Sequence, residues 1–187
     1  MRRRLMVALV VFVAGAASGW AVAQQRKTSV NPDDFIQIQE LLWKNHWGFD
    51  FTTEDHADLW TSTFTPDAEL EQGGRVVRSG LQDIRQMALD YYKDQPTRKM
   101  RHWTSTFYIR PTPEGANLRA FWYITTQEPG QTGMRIGGSG QYNSDVVKTP
   151  AGWRIKRHRV VSDGGIVANA APASPAPRTA APALQPK

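Results

Sequence analysis

The chain has no cysteine among its 187 residues, so no disulfide braces it and no thiol serves as nucleophile or metal ligand. It also lacks an apolar run of bilayer length. The longest, Leu5 to Ala17, falls short of the roughly 20 residues a spanning helix needs. Preceded by Arg2, Arg3 and Arg4 and followed by Ala21-Val22-Ala23, this run reads as a secretory leader over residues 1–23, cleaved before Gln24. An uncleaved N-terminal anchor is the alternative. The absence of cysteine beside the cleavage site excludes a lipoprotein anchor.

Acidic charge is in short supply too, but less than it first seems. The formal net charge of +6 falls to +3 without residues 1–23, which hold three arginines and no acid. The basic residues that cluster, Arg154, Lys156, Arg157 and Arg159, lie along one terminal strand and read as a solvated face or edge, not a nucleic-acid surface. No spacing of His, Asp and Glu resembles a zinc or iron site. Gly137-Gly138-Ser139-Gly140 has neither the lysine nor the helix of a phosphate loop and reads as a strand bulge. No cofactor is expected.

What is present suffices for one domain. Residues 24–30 read as a short linker and 31–167 as a core-forming domain that buries roughly two-thirds of its unfolded surface. After Ala168 the composition turns to Ala, Pro and Ser, which reads as a flexible tail over 168–187. Within the domain, Asn31-Pro32-Asp33-Asp34 starts a helix, with Phe35, Ile38, Leu42, His46 and Phe49 on its apolar stripe and Trp43 and Trp47 in a row beside it. Thr52 or Thr53 opens a second helix carrying Ala57, Trp60 and Phe64 and ending before Pro66. A short strand at 67–71 meets a turn at Gln72-Gly73-Gly74, and Ser79-Gly-Leu-Gln82 caps a third helix. From Met100 the period changes from helical to alternating, which predicts strands at 100–110, 116–127, 134–148 and 152–162 joined by tight turns. Short connections favour antiparallel neighbours. The expected fold class is therefore α+β, three helices packed on one face of a curved antiparallel sheet.

Chemistry concentrates in two places. Between residues 44 and 71, Trp and Phe side chains crowd around Asp50, which lies four residues after His46 and so shares its helix face. In the strand 100–110, His102, Thr104, Thr106 and Tyr108 alternate with Trp103, Ser105, Phe107 and Ile109. A histidine facing a buried carboxylate makes an acid/base pair in which the carboxylate fixes the tautomer and the imidazole moves the proton. His56, among Glu54, Asp55 and Asp58, reads as solvent-facing or as a fortuitous surface metal site, and His158 lies between Arg157 and Arg159 where a bound cation is disfavoured.

Asp33–Asp50, the Phe64-Thr-Pro-Asp-Ala68 run, Ser79-Gly-Leu-Gln-Asp-Ile84, Arg101-His102, Gly140-Gln-Tyr142 and Gly152-Trp-Arg-Ile155 together resemble a SnoaL-like domain of the nuclear transport factor 2-like superfamily, over most of residues 31–162. The resemblance implies a cone of curved antiparallel sheet capped by helices. It also implies, by likeness to scytalone dehydratase, steroid isomerase and polyketide cyclases, that Asp50 and His102 serve acid/base roles toward a small, largely apolar carbonyl compound. Lyase or isomerase chemistry without a cofactor follows from it, with His46, Trp47, Tyr123 and Tyr142 as candidates for contact with substrate. The scytalone enzyme uses a second strand histidine, whereas the strand 116–127 carries Phe121, Trp122 and Tyr123. Non-catalytic capture of a small hydrophobic molecule, or a homodimer formed through an open sheet face, are the alternatives.

Overall fold

The computed structural model describes residues 29–51, 53–94, 96 and 99–164. The expected leader, most of the linker and the Ala/Pro-rich segment lie outside the described residues. Among the described residues three helices, α1 (Pro32–Phe49), α2 (Glu54–Thr61) and α3 (Leu81–Asp94), pack on a six-stranded sheet made of β1 (Phe64–Gln72), β2 (Arg75–Ser79), β3 (Lys99–Thr112), β4 (Gly115–Gln127), β5 (Arg135–Thr149) and β6 (Gly152–Ser162). None of these helices is long and apolar enough to cross a membrane.

Local signals build the helices largely as expected. Asn31 caps α1, its side-chain oxygen accepting from the Asp34 backbone N–H at 2.8 Å, and Pro32 occupies the first turn, where a missing N–H costs nothing. Near the other end of α1, Gly48 lets the α2 backbone come close: a Cβ there would collide with the backbone of Trp60. The Tyr92 hydroxyl, from α3, donates to the Gly48 carbonyl at 2.9 Å. The end of α1 is thus fixed by α2 and α3. The second helix is shorter than its periodicity suggests. It stops at Thr61, and Phe64 and Pro66 belong to β1, where strand pairing overrides the continuing apolar repeat.

The sheet order is β2-β1-β6-β5-β4-β3. All neighbours are antiparallel except β1 and β6, which run parallel. The expectation of a purely antiparallel sheet is corrected at that pair. The two strands are joined through everything between them, so no short turn sets their direction.

Bulges bend the sheet and change which side chains face the helices. In β3 the register slips between Ser105 and Tyr108, and Thr106 takes a positive φ of 55°. Strict alternation would send Thr106 and Tyr108 to the side of His102. Instead, Met100, His102 and Thr104 face inward, and beyond the bulge Phe107 and Ile109 pack on the core while Tyr108 is exposed. A second slip sets Asp145 opposite Arg157 but Val146 opposite Ile155, leaving Lys156 as the extra residue in β6. Trp153, Ile155 and His158 are consequently all buried. The core between sheet and helices holds Ile38, Leu42, Ile84, Leu118, Val146 and Ile155, all essentially without solvent contact.

Candidate active site

Asp50 is the C-terminal cap residue of α1. A carboxylate there gains nothing from the helix dipole, whose negative end it joins, so something else must hold it. That partner is His102 at the start of β3. Its backbone N–H donates to Asp50 Oδ2 at 2.8 Å, and its ring Nδ1 lies 2.5 Å from Asp50 Oδ1. Both oxygens are engaged, which orients the carboxylate and places the proton of a neutral His102 on Nδ1, leaving Nε2 for other work. Asp50 and His102 are both largely buried. Phe49 packs edge-on against the His102 ring, with centroids 6.0 Å apart.

His102 opens onto a cavity of about 120 Å³. Its walls come from Asn45, His46 and Phe49 of α1, Trp60 of α2, Met87 of α3, Leu70 and Gln72 of β1, and inward residues of the last four strands: Trp122, Ile124, Tyr142, His158 and Val160 beside His102 itself. Asp50 is behind His102, not on the wall. One wall is a run of rings. His46 stacks on His102 at 5.1 Å and lies 5.4 Å from Tyr142, and Tyr142 in turn contacts His158 at 4.7 Å and Trp122 at 5.7 Å.

The ionisable groups of this wall differ in what burial does to them. His46 is held well below the ordinary histidine value, first by burial and then by the positive charge His102 or His158 would carry. His158 is pushed down to about 3, again by burial first and His102 second. Burial and the nearby Asp50 charge push the Tyr142 phenol up, so it stays protonated and able to donate. Among these pocket histidines, His102 is the one with a carboxylate partner.

Sequence reasoning placed some candidates here and not others. Asp50, His102, His46 and Tyr142 come together. Tyr123 does not: it is 42 % exposed on the opposite face of β4, stacked on Trp103. Its neighbour Trp122 takes the inward place, because the pleat of β4 buries Leu118, Ala120 and Trp122 in step. Trp47 is corrected likewise. It is 60 % exposed and packs on Phe51, since the buried second row of α1 is Leu41, Asn45 and Gly48. His158 was hidden by its sequence neighbours. Arg157 and Arg159 point out to Glu69, Glu71 and Asp145, while the bulge at Lys156 turns His158 inward.

A larger depression of about 540 Å³ lies at the far end of the sheet, around Asp67, Glu69, Glu114, Asp145, Lys156 and Arg157. Lys156 there is paired with Glu114 and Arg157 with Glu69, so its charges face one another in solvent. Among the described residues no group of three or more His, Asp or Glu side chains is placed to hold a metal ion.

No curated protein matches the chain in sequence. Solved structures do match in shape. A protein of unknown function from Mycobacterium tuberculosis is 24 % identical, with 74 % of this chain and 79 % of that chain covered and a TM-score of 0.60. A protein provisionally named a scytalone dehydratase, from Novosphingobium aromaticivorans, is 18 % identical over 72 % of this chain and 87 % of its own, with a TM-score of 0.60. A Catenulispora acidiphila protein solved in complex with S-DNPA is 18 % identical over 71 % and 96 %, with a TM-score of 0.61. At these identities the likeness is one of fold, the helix-capped curved sheet of nuclear transport factor 2-like proteins. The family model described as SnoaL-like domain matches residues 33–159, from the first turn of α1 to just past the inward turn of His158, and the chain belongs to that family.

Proposed function

We propose that the protein is an acid/base enzyme of lyase or isomerase type, acting on a small, largely apolar carbonyl compound in the cavity beside His102. The observation that carries this reading is the Asp50–His102 pair, with both carboxylate oxygens engaged and the ring edge turned to the cavity. In the proposed reaction, His102 Nε2 takes a proton from the carbon next to the carbonyl. The electron pair moves toward the carbonyl oxygen, and Asp50 accepts the Nδ1–H hydrogen bond of the imidazolium that forms. Returning the proton from the His102 imidazolium to a different carbon isomerises the substrate; giving it to a β-hydroxyl, which leaves as water while the electron pair forms the new carbon–carbon double bond, dehydrates it. His46 and His158 do not compete for the proton, since burial keeps both neutral. The cavity, at about 120 Å³, compares with the engineered ~150 Å³ cavity that takes benzene, which supports a substrate whose buried part is about one ring. The likeness to a protein provisionally named a scytalone dehydratase supports the reaction class.

The test is proton NMR in heavy water with a panel of small ketones, enones and β-hydroxy carbonyl compounds. Deuterium should enter beside the carbonyl with the wild-type protein and at least about 100-fold more slowly with Asp50→Asn. Equal exchange by both proteins overturns the assignment. Ligand-induced protein shifts without exchange by either protein support the binding-module reading.

A second reading concerns assembly. Trp103, Phe121 and Tyr123 are exposed side by side on the outer face of the sheet, with Val161 one strand further on beyond Gln141, an apolar surface that a second copy would cover. Sedimentation at falling concentration checks this: a monomer throughout removes the homodimer. Export with removal of residues 1–23 belongs to the same proposal, and N-terminal sequencing of protein recovered outside the cytoplasm, beginning at Gln24, is the expected result.

A further inference from the structure

The proposed reaction gives no task to His158, a buried titratable side chain of the cavity wall. His158 is 5 % exposed, lines the cavity, and is reached only by an inward turn at a bulge. Ser144, directly opposite on β5 and fully buried, places its Oγ 2.7 Å from His158 Nδ1.

That contact decides the tautomer by counting. If the serine hydroxyl donates to Nδ1, the imidazole proton is on Nε2 and one polar group, Nε2–H, still seeks a partner. If Nδ1–H donates to the serine, then both the serine hydroxyl and a bare Nε2 lack one, and no second bond from Ser144 Oγ is formed among the described residues. Buried polar groups left unpaired are costly, so the first arrangement prevails. Ser144 thereby locks the ring and leaves Nε2–H as its free donor.

The surroundings favour an oxygen atom as what meets it. Tyr142, packed against His158, stays protonated and is a second donor at the same wall. Two other lining residues, His46 and Trp122, carry buried ring nitrogens, Nε2 and Nε1, that have no hydrogen-bond partner among the described residues. A wall so rich in uncommitted polar atoms does not suit a hydrocarbon alone.

We propose that His158, locked by Ser144, donates from Nε2 to the carbonyl oxygen of the substrate and so holds it between β6 and the Asp50–His102 pair. This deepens the acid/base reading and rests on it for the identity of the oxygen. The bond gains strength as charge moves onto that oxygen, and no proton is transferred: a group that resists a positive charge gives a hydrogen bond and keeps its own proton. His102 and His158 divide the work, one receiving the proton and the other steadying the oxygen.

The experiment compares cyclohexanone with methylenecyclohexane, which keeps the shape and replaces the oxygen by a CH₂ group. Dissociation constants are measured by NMR titration of the full chain, with imidazole ¹⁵N shifts read in parallel. The wild-type protein should prefer the ketone roughly tenfold and shift His158 Nε2 on binding it. His158→Phe should bring the ratio close to one, His158→Gln should restore part of it through its side-chain N–H, and Ser144→Ala should reduce it by loosening the ring. An unchanged ratio in a folded His158→Phe overturns the proposal. If that variant does not fold, an unmoved His158 Nε2 resonance in the wild-type protein, or an unchanged ratio in Ser144→Ala, overturns it equally. A wild-type protein with no preference for the ketone does so too. Because these are binding readouts, they separate from the enzyme reading: preference without deuterium exchange sinks the catalytic role of Asp50–His102 alone, and exchange with an unchanged ratio sinks His158 alone.

Discussion

Phe121 and Trp122 are adjacent in β4, yet one is 57 % exposed and the other 8 %. They stand for the two faces of the sheet. The outer face carries aromatic side chains in solvent at one end and ion pairs at the other, where Arg157 and Arg159 meet Glu69, Glu71 and Asp145 at 2.6–3.2 Å. The inner face buries histidines, a serine and a tyrosine among aliphatic residues. Charge is thus placed where water can solvate it, and the inner face keeps polar groups that are mostly neutral. Two buried carboxylates stand apart: Asp34, paired with Lys148 and bonded to Trp153 at the start of α1, and Asp50, paired with His102, which adjoins the cavity and so is the place to look for chemistry.

The contrast can be broken first by stability. Leu118→Ala, on the inner face, should cost about 2–5 kcal/mol in urea unfolding because it opens a cavity in a packed core. Phe121→Ser, on the outer face, should change the stability of the monomer by no more than about 0.5 kcal/mol. A cost at Phe121 as large as that at Leu118 would mean that the outer face is covered in solution.

Acid sharpens the comparison next. His158 titrates near 3 when folded, against an ordinary value of 6.5, and His46 is shifted in the same direction. Below pH 6.5 the unfolded chain binds protons that the folded one refuses, so stability is complete above that pH and falls as the pH drops toward the folded values. The slope should be on the order of 1 kcal/mol per pH unit for each histidine. In His158→Gln the slope between pH 6 and 4 should lessen by about one proton's worth, as urea midpoints at each pH will show. The smallest effect belongs to the outer ion pairs: Arg159→Gln should shift stability by about 0.5 kcal/mol or less, and added salt should shrink even that.

How much of this was legible in sequence follows from what each feature depends on. The three helices and the four long strands announce themselves through caps, turns and periodicity, which are local. The parallel pairing of β1 with β6 is not local, and nothing near Phe64 or Ile155 signals it. Side-chain direction was legible only as far as the nearest bulge. Parity put Thr106 and Tyr108 with His102, and it gave no hint that Lys156 would be squeezed out to turn His158 inward. A histidine flanked by arginines looks like part of a basic edge; its burial depends on a slip of register that those three residues do not encode. Asp50 and His102, 52 residues apart, were paired through the family resemblance and the aromatic crowding around Asp50. Tyr123 and Trp47 show the converse, since an aromatic near the site in sequence is placed by pleat or helix phase, and here both turn away.

The central claim is that chemistry belongs to the inner face and to Asp50–His102 within it. The most direct test measures deuterium entry into a carbonyl substrate with the wild-type protein, Asp50→Asn and the outer-face variant Phe121→Ser side by side. Expected are exchange by the wild type, a loss of about 100-fold or more in Asp50→Asn, and a rate within about twofold of wild type in Phe121→Ser. Exchange that survives in Asp50→Asn, or that falls as far in Phe121→Ser, would contradict the claim.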